Sequence, residues 1–271
     1  MRFRAEFKFT GCKRKVVATA LGNYFENCSR HKCECDNLNC EYVNCKHWFV
    51  KYIFNDSKFR QWTLSHDMFV RPEMLEHDST HNRYEMLDID FNPHRFMNEL
   101  KTPVLDSDNF EDLAIIYDVL LILKSIGCVV NETCAVHIHL DAPLVEDILG
   151  FYLDAIRLCQ SDWYEEFNIS TSKIDNFVRP FMESSAYRDL TNFNKLEQYI
   201  RETNPNAIID NKLDLKHFIL NFGAIKEYGT LEFRAFNGTL NYDEFIHMLD
   251  TVIKFDYYVC MTYIKSKSIN S

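Results

Sequence analysis

The sequence predicts an α+β fold built on an antiparallel sheet, and three observations carry this. Strand-like and helix-like segments alternate without the regular spacing of parallel βαβ units. Neighbouring strand segments are joined by short turns, which antiparallel pairing permits and parallel pairing does not. Only 7 glycines occur among 271 residues, and neither GxxxxGK nor GxGxxG is present, which argues against P-loop and dinucleotide-binding enzymes.

Taken in order, residues 2–10 alternate with period two. Phe3, Ala5, Phe7 and Phe9 share one face, and Arg4, Glu6, Lys8 and Thr10 share the other, the pattern of a strand. Residues 13–25 suit a short helix, and the polar, cysteine-bearing stretch 31–44 reads as an insert or long loop. Residues 47–54 and 58–66 read as two strands joined by the turn Asn55-Asp56-Ser57, 72–82 as a loop, and 84–91 and 96–100 as short strands. Asp106 and Ser107 offer helix caps ahead of a helix over 110–126 that ends at Gly127. A strand follows over 133–140, and Pro143 opens a long helix to about residue 167. Residues 177–189 are irregular and 195–202 helical. Residues 217–222 and 229–236 suit paired strands around a turn at 226–229, and 241–264 a last amphipathic helix.

The composition is that of a globular protein, with 46% apolar and 26% charged residues. The length suits one elaborated domain over 1–271, with a Cys-rich insert at about 28–47. No apolar run approaches the roughly 20 residues that span a bilayer, and the charged start carries no secretory signal. The expectation is a cytoplasmic protein without membrane attachment. A net charge of -10 disfavours broad nucleic-acid binding and suits a site that collects cations, as it also suits a merely solvated acidic surface.

Four segments can carry chemistry. In Cys134-Ala-Val-His137-Ile-His139-Leu, a strand projects His137 and His139 together while Val136, Ile138 and Leu140 face the core. Paired imidazoles can bind a metal or a phosphate, or lie on a solvated sheet face. In Gly229-Thr-Leu-Glu232-Phe-Arg234, Glu232 and Arg234 share a face, where they can simply pair or can hold a cation and a phosphate. Glu6 with Lys8, and Glu99 at the head of Glu99-Leu-Lys-Thr-Pro103, each read alone as solvated charge. Together the four put charged or imidazole groups on one face of a sheet. Oxygen ligands with one or two histidines suit magnesium or manganese handling a nucleotide phosphate.

In order and spacing, Glu6, Glu99-Leu-Lys-Thr-Pro103, the His137-x-His139 strand and the Glu232-x-Arg234 strand with Gly238-Thr239-Leu240 resemble the amidoligase family. That family belongs with the carboxylate–amine ligases that include glutamine synthetase and γ-glutamylcysteine synthetase. The resemblance implies a glutamine-synthetase-like catalytic domain, a curved antiparallel sheet with helices on its convex face and the site on its concave face. It implies an ATP-dependent ligase that forms an amide or isopeptide bond through an acyl phosphate, from a small-molecule or peptide carboxylate and an amine. The cofactors implied are ATP and Mg2+ or Mn2+. Glu6, His137 and Glu232 would hold one metal, Glu99 would belong to a second metal position, His139 would contact an ATP phosphate, and Arg234 would stabilise the transferring phosphoryl group. Asn221 and Arg179 would touch substrate or nucleotide.

Lys8 departs from the family pattern, which has a second acid there. Either Lys8 contacts phosphate in an enzyme with fewer metals, or Glu85, Asp67 or Asp90 substitutes as the acid, or the chain is a degenerate nucleotide-binding member. The triad Glu6, His137 and Glu232 together with Arg234 favours an active enzyme.

Five of the 10 cysteines lie between Cys28 and Cys45. Cys33, Cys35, Cys40 and Cys45 could bind a structural zinc, or the set could be free thiols, since the spacing matches no CxxC pair. Two readings compete with the ligase: a metal-dependent hydrolase using the His-x-His pair, and a non-catalytic nucleotide- or zinc-binding module. A hydrolase would need further histidines or an aspartate on later strands, and after His139 only His217 and His247 remain.

Overall fold

The computed structural model describes residues 1–27, 29–31, 51–71, 96–143, 146–177, 179–181, 192–203, 208–209 and 212–269. The four zinc-candidate cysteines, the loop at 72–82, the strand at 84–91 and the acids Glu85 and Asp90 lie outside these residues. The described residues form an α+β fold with antiparallel strand pairing. The chain divides into two compact units. One comprises Met1–Phe3, His137–Asn237 and Asp243–Ser271; the other comprises Arg4–Val136 and Gly238–Tyr242.

The second unit is organised by β1 (Arg2–Phe9), β2 (Ser29–His31), β3 (Lys51–Asn55), β4 (Gln61–His66), β5 (Asn98–Lys101) and β6 (Leu105–Asp106). β1 runs antiparallel to β5, β5 to β4, β4 to β3 and β3 to β2, while β6 also pairs with β1. Alternation along β1 holds as the sequence predicts: Ala5, Phe7 and Phe9 are all buried. Leu100 and Leu64 stand in line with Phe7 across β5 and β4, so one face of the ladder is apolar.

Two helices belong to that unit, α1 (Arg14–Tyr24) and α2 (Phe110–Ser125). Val17, Ala18 and Leu21 of α1, and Ile116, Val119, Leu120 and Leu123 of α2, recur at helical spacing and are buried. Phe25, just past α1, packs its ring against Trp62 at 5.4 Å and Phe54 at 5.9 Å. The cap of α2 is Asn109, whose side chain accepts from the Glu111 amide at 2.9 Å, not Asp106 or Ser107. Asp106 is taken into β6 instead.

In the other unit, β7 (Ala135–Asp141) neighbours β11 (Thr230–Asn237), which runs antiparallel to β10 (Leu220–Asn221). Ile138 and Leu140 of β7 and Leu231, Phe233 and Ala235 of β11 are buried on one face. The long helices α3 (Leu149–Glu166) and α7 (Tyr242–Ile269) bring Tyr152, Ile156, Trp163, Val252 and Phe255 into this core. Trp163 is its hub, with Phe255 at 5.4 Å, Phe236 at 6.0 Å and Phe233 at 6.3 Å. Shorter helices α4 (Thr171–Phe177), α5 (Phe193–Thr203) and α6 (Ala224–Tyr228) and a small hairpin of β8 (Ile208–Ile209) and β9 (Lys212–Leu213) complete the elements. Among the described residues no helix is long and apolar enough to cross a membrane.

Three boundaries differ from the sequence expectation. Pro143 does not open α3. The Ala142 amide donates to Gly229 at 2.9 Å, which keeps the chain extended, and a 3-10 turn at Glu146–Ile148 precedes the helix. The strand expected over 217–222 is reduced to Leu220–Asn221, because His217 and Ile219 bond to the backbone of Arg179. The turn expected at 226–229 is the end of α6, closed by Gly229 in the left-handed region at φ 67, where a side chain would be strained.

Candidate functional site

Period-two alternation puts Thr230, Glu232 and Arg234 of β11 on the face opposite its core residues, and His137 and His139 on the corresponding face of β7. β10 is in register so that Asn221 lies directly across from Glu232. Asn221, Arg234 and His137 surround the Glu232 carboxylate, and His139 stands beside it, paired with Thr230.

Glu232 Oε2 accepts from Asn221 Nδ2 at 2.6 Å. Its Oε1 accepts from Arg234 Nη1 and lies 3.1 Å from His137 Nδ1 and 4.0 Å from His139 Nε2. Asn221 is itself fixed, because its Oδ1 accepts the Gly223 amide at 2.9 Å. His139 Nδ1 is 3.0 Å from the Thr230 hydroxyl, and its ring stands edge-on to Tyr228 at 6.2 Å. Glu232, His137 and His139 are 5%, 3% and 6% exposed, so this is not the solvated sheet face that a bare His-x-His pattern also allows.

Burial pushes the Glu232 carboxyl up, but the Arg234 guanidinium and the two imidazoles beside it more than offset that. The carboxyl is held well below the usual carboxylate range. A buried carboxylate that stays ionised, with two imidazoles at its oxygens, is an oxygen–nitrogen donor set without sulfur. Such a set fits magnesium or manganese. Arg234 uses one nitrogen on Glu232 and on His137, 3.4 Å away, and a guanidinium carries five N–H donors in all.

The polar face of the other unit carries a second charged group. Register places Glu6 opposite Lys101 and Lys8 opposite Glu99. Lys101 Nζ lies 2.6 Å from Glu6 and 3.1 Å from Glu99. Lys8 Nζ pairs with Asp67 and stands 3.7 Å from Glu99. Lys8, Asp67 and Glu99 are all buried. Burial and the neighbouring Glu6 raise the Glu99 carboxyl to about 7, against the pull of Lys8 and Lys101. Burial lowers the Lys101 ammonium, but Glu6 and Glu99 outweigh this and hold it above its ordinary value.

The structure therefore brings His137, His139, Glu232, Arg234 and Asn221 together in one unit, and Glu6, Lys8 and Glu99 in the other. Arg179 is bridged to Phe218, two residues before β10 begins at Leu220. Its Nε donates to the Asp175 carbonyl at 2.9 Å. Two participants were not singled out from sequence. Thr230 continues the period-two series of Glu232 and Arg234, and Lys101 follows Glu99 by two residues, so strand alternation was the available signal for both.

A family model described as "Putative amidoligase enzyme" matches residues 1–255, taking in residues of both units. No curated protein matches the sequence.

Proposed function

Because the chain belongs to the amidoligase family, we propose that it is an ATP-dependent carboxylate–amine ligase on a glutamine-synthetase-like sheet. The observation that supports this best is Glu232, buried and ionised between Arg234, His137 and Asn221 on a sheet face. A structural ion pair needs no imidazoles in its shell, whereas a carboxylate, imidazole and guanidinium together suit a site that handles a metal-bound polyphosphate.

A carboxylate is a poor electrophile. In the reaction proposed, a substrate carboxylate oxygen attacks the γ-phosphorus of ATP, ADP leaves, and an acyl phosphate results. An amine nitrogen then attacks the acyl carbon, the C–O bond to phosphate breaks, and an amide and inorganic phosphate are released with the amine's proton. His137 and Glu232 would hold the divalent cation, with His139 at an ATP phosphate. That cation supplies neutralisation of phosphate charge when bound. Arg234 is the planar donor fork for the phosphoryl oxygens. Asn221 keeps one Glu232 oxygen oriented, and Thr230 fixes which His139 nitrogen is turned to Glu232.

Hydroxylamine traps acyl phosphates as hydroxamates, so the test needs no knowledge of the natural amine. The purified chain is incubated with ATP, Mg2+, hydroxylamine and a panel of amino-acid and dipeptide carboxylates. Hydroxamate formation with matching ADP release, lost in Glu232→Gln, is expected. ATP hydrolysis indifferent to every carboxylate and amine would oppose the ligase reading.

A further inference from the structure

The family resemblance asks for a second divalent cation beside Glu99, and the residues around Glu99 do not fit one. Two ammonium groups already stand against that carboxylate, Lys101 at 3.1 Å and Lys8 at 3.7 Å. The arrangement is built rather than incidental. Strand register sets Lys8 directly across from Glu99 and Lys101 directly across from Glu6. Asp67, which carries the other contact of Lys8, is locked by its own chain: its Oδ1 accepts the Phe69 amide at 2.7 Å, and its amide donates to Met97 at 3.2 Å. Lys8 is 8% exposed, so solvent screens its charge from Asp67 and Glu99 far less than at the surface.

We propose that the Lys8 and Lys101 ammonium groups occupy the place of the second divalent cation, so that the chain works with one exchangeable metal ion and a built-in positive charge. Two lysines supply roughly the charge of one divalent ion to Glu6, Glu99 and Asp67. A divalent ion added at Glu99 would have to enter within a few ångströms of both ammonium groups, against direct repulsion. The positive charge beside Glu99 is then covalently attached and does not depend on free metal. The inference deepens the proposed ligase reading and rests on it for the meaning of the second position, though not for the ion pairs themselves.

The test counts Mn2+ bound per full-length chain, from the electron paramagnetic resonance signal of the free ion. Wild type is expected to bind one Mn2+, lost in Glu232→Gln and unchanged in number and affinity in Glu99→Gln. Lys8→Glu is expected to bind one ion more than wild type, and the double variant Lys8→Glu with Glu99→Gln to lose that gain. Two ions on wild type, one of them lost in Glu99→Gln, would overturn the inference. If wild type bound none, the metal part of the ligase reading would fall. The one-ion count of the inference would fall with it, and only the lysines' place at Glu99 would still stand or fall on whether Lys8→Glu gains an ion. Should Lys8→Glu not fold, the Glu99→Gln count on the wild-type background decides alone.

Discussion

Asn221 donates to Glu232 across the β10–β11 pair at 2.6 Å, and its own carbonyl oxygen is pinned by the Gly223 amide. The carboxylate is thereby held from behind while its other oxygen takes Arg234 and His137. Removing that support leaves the acid in place but free to turn. Asn221→Ala is expected to weaken Mn2+ binding by about 10–100-fold, with the far-ultraviolet circular dichroism unchanged. Affinity equal to wild type would make Asn221 a bystander.

Arg234 is expected to resist even a conservative replacement. Lysine keeps the charge but presents a single ammonium in place of a planar fork, so it cannot hold Glu232 and reach phosphoryl oxygens at once. Arg234→Lys is expected to lower kcat by about 100-fold or more in the hydroxamate assay while the melting temperature stays close to wild type. A fall confined to KM would assign Arg234 to substrate binding instead.

Much of this arrangement was legible in the sequence because it rests on strand alternation. Phe3, Ala5, Phe7 and Phe9 fixed the apolar face of β1, and the same rule separated Leu231, Phe233 and Ala235 from Glu232 and Arg234. What alternation cannot convey is where backbone hydrogen bonds go. The pairing of His217 and Ile219 with Arg179 shortened a strand, and the bond from Ala142 to Gly229 displaced a helix start from Pro143. Lys101 was missed for a related reason. A lysine two residues from Glu99 reads as ordinary surface charge until pairing brings Glu6 opposite it.

The long aromatic core carries the scaffold, not the chemistry. Trp163 meets Phe233, Phe236 and Phe255, and its loss would leave a cavity behind β11. Trp163→Ala is expected to cost about 3–5 kcal/mol of stability by urea unfolding. A cost below about 1 kcal/mol would show that this cluster is not the centre of the unit's packing.

Glu99 gives the stability a distinct pH dependence. Its ordinary value is 4.5 and it rises to about 7 in the fold, so between these values the folded chain keeps a proton that the unfolded chain has released. The contribution is full below pH 4.5 and is lost as pH rises through about 7. Glu99→Gln removes it, so the variant should gain stability relative to wild type from pH 5 toward pH 7.5. Unfolding curves that keep a constant separation across that window would contradict the shift.

The measurement closest to the central claim is calorimetric binding of a non-hydrolysable ATP analogue, with and without Mg2+, to wild type and Glu232→Gln. The account predicts binding that needs Mg2+ and is lost in Glu232→Gln, with both proteins folded. Binding that ignores Mg2+ or survives Glu232→Gln, or no binding by wild type at millimolar analogue, would contradict the assignment of this sheet face to a metal–nucleotide site.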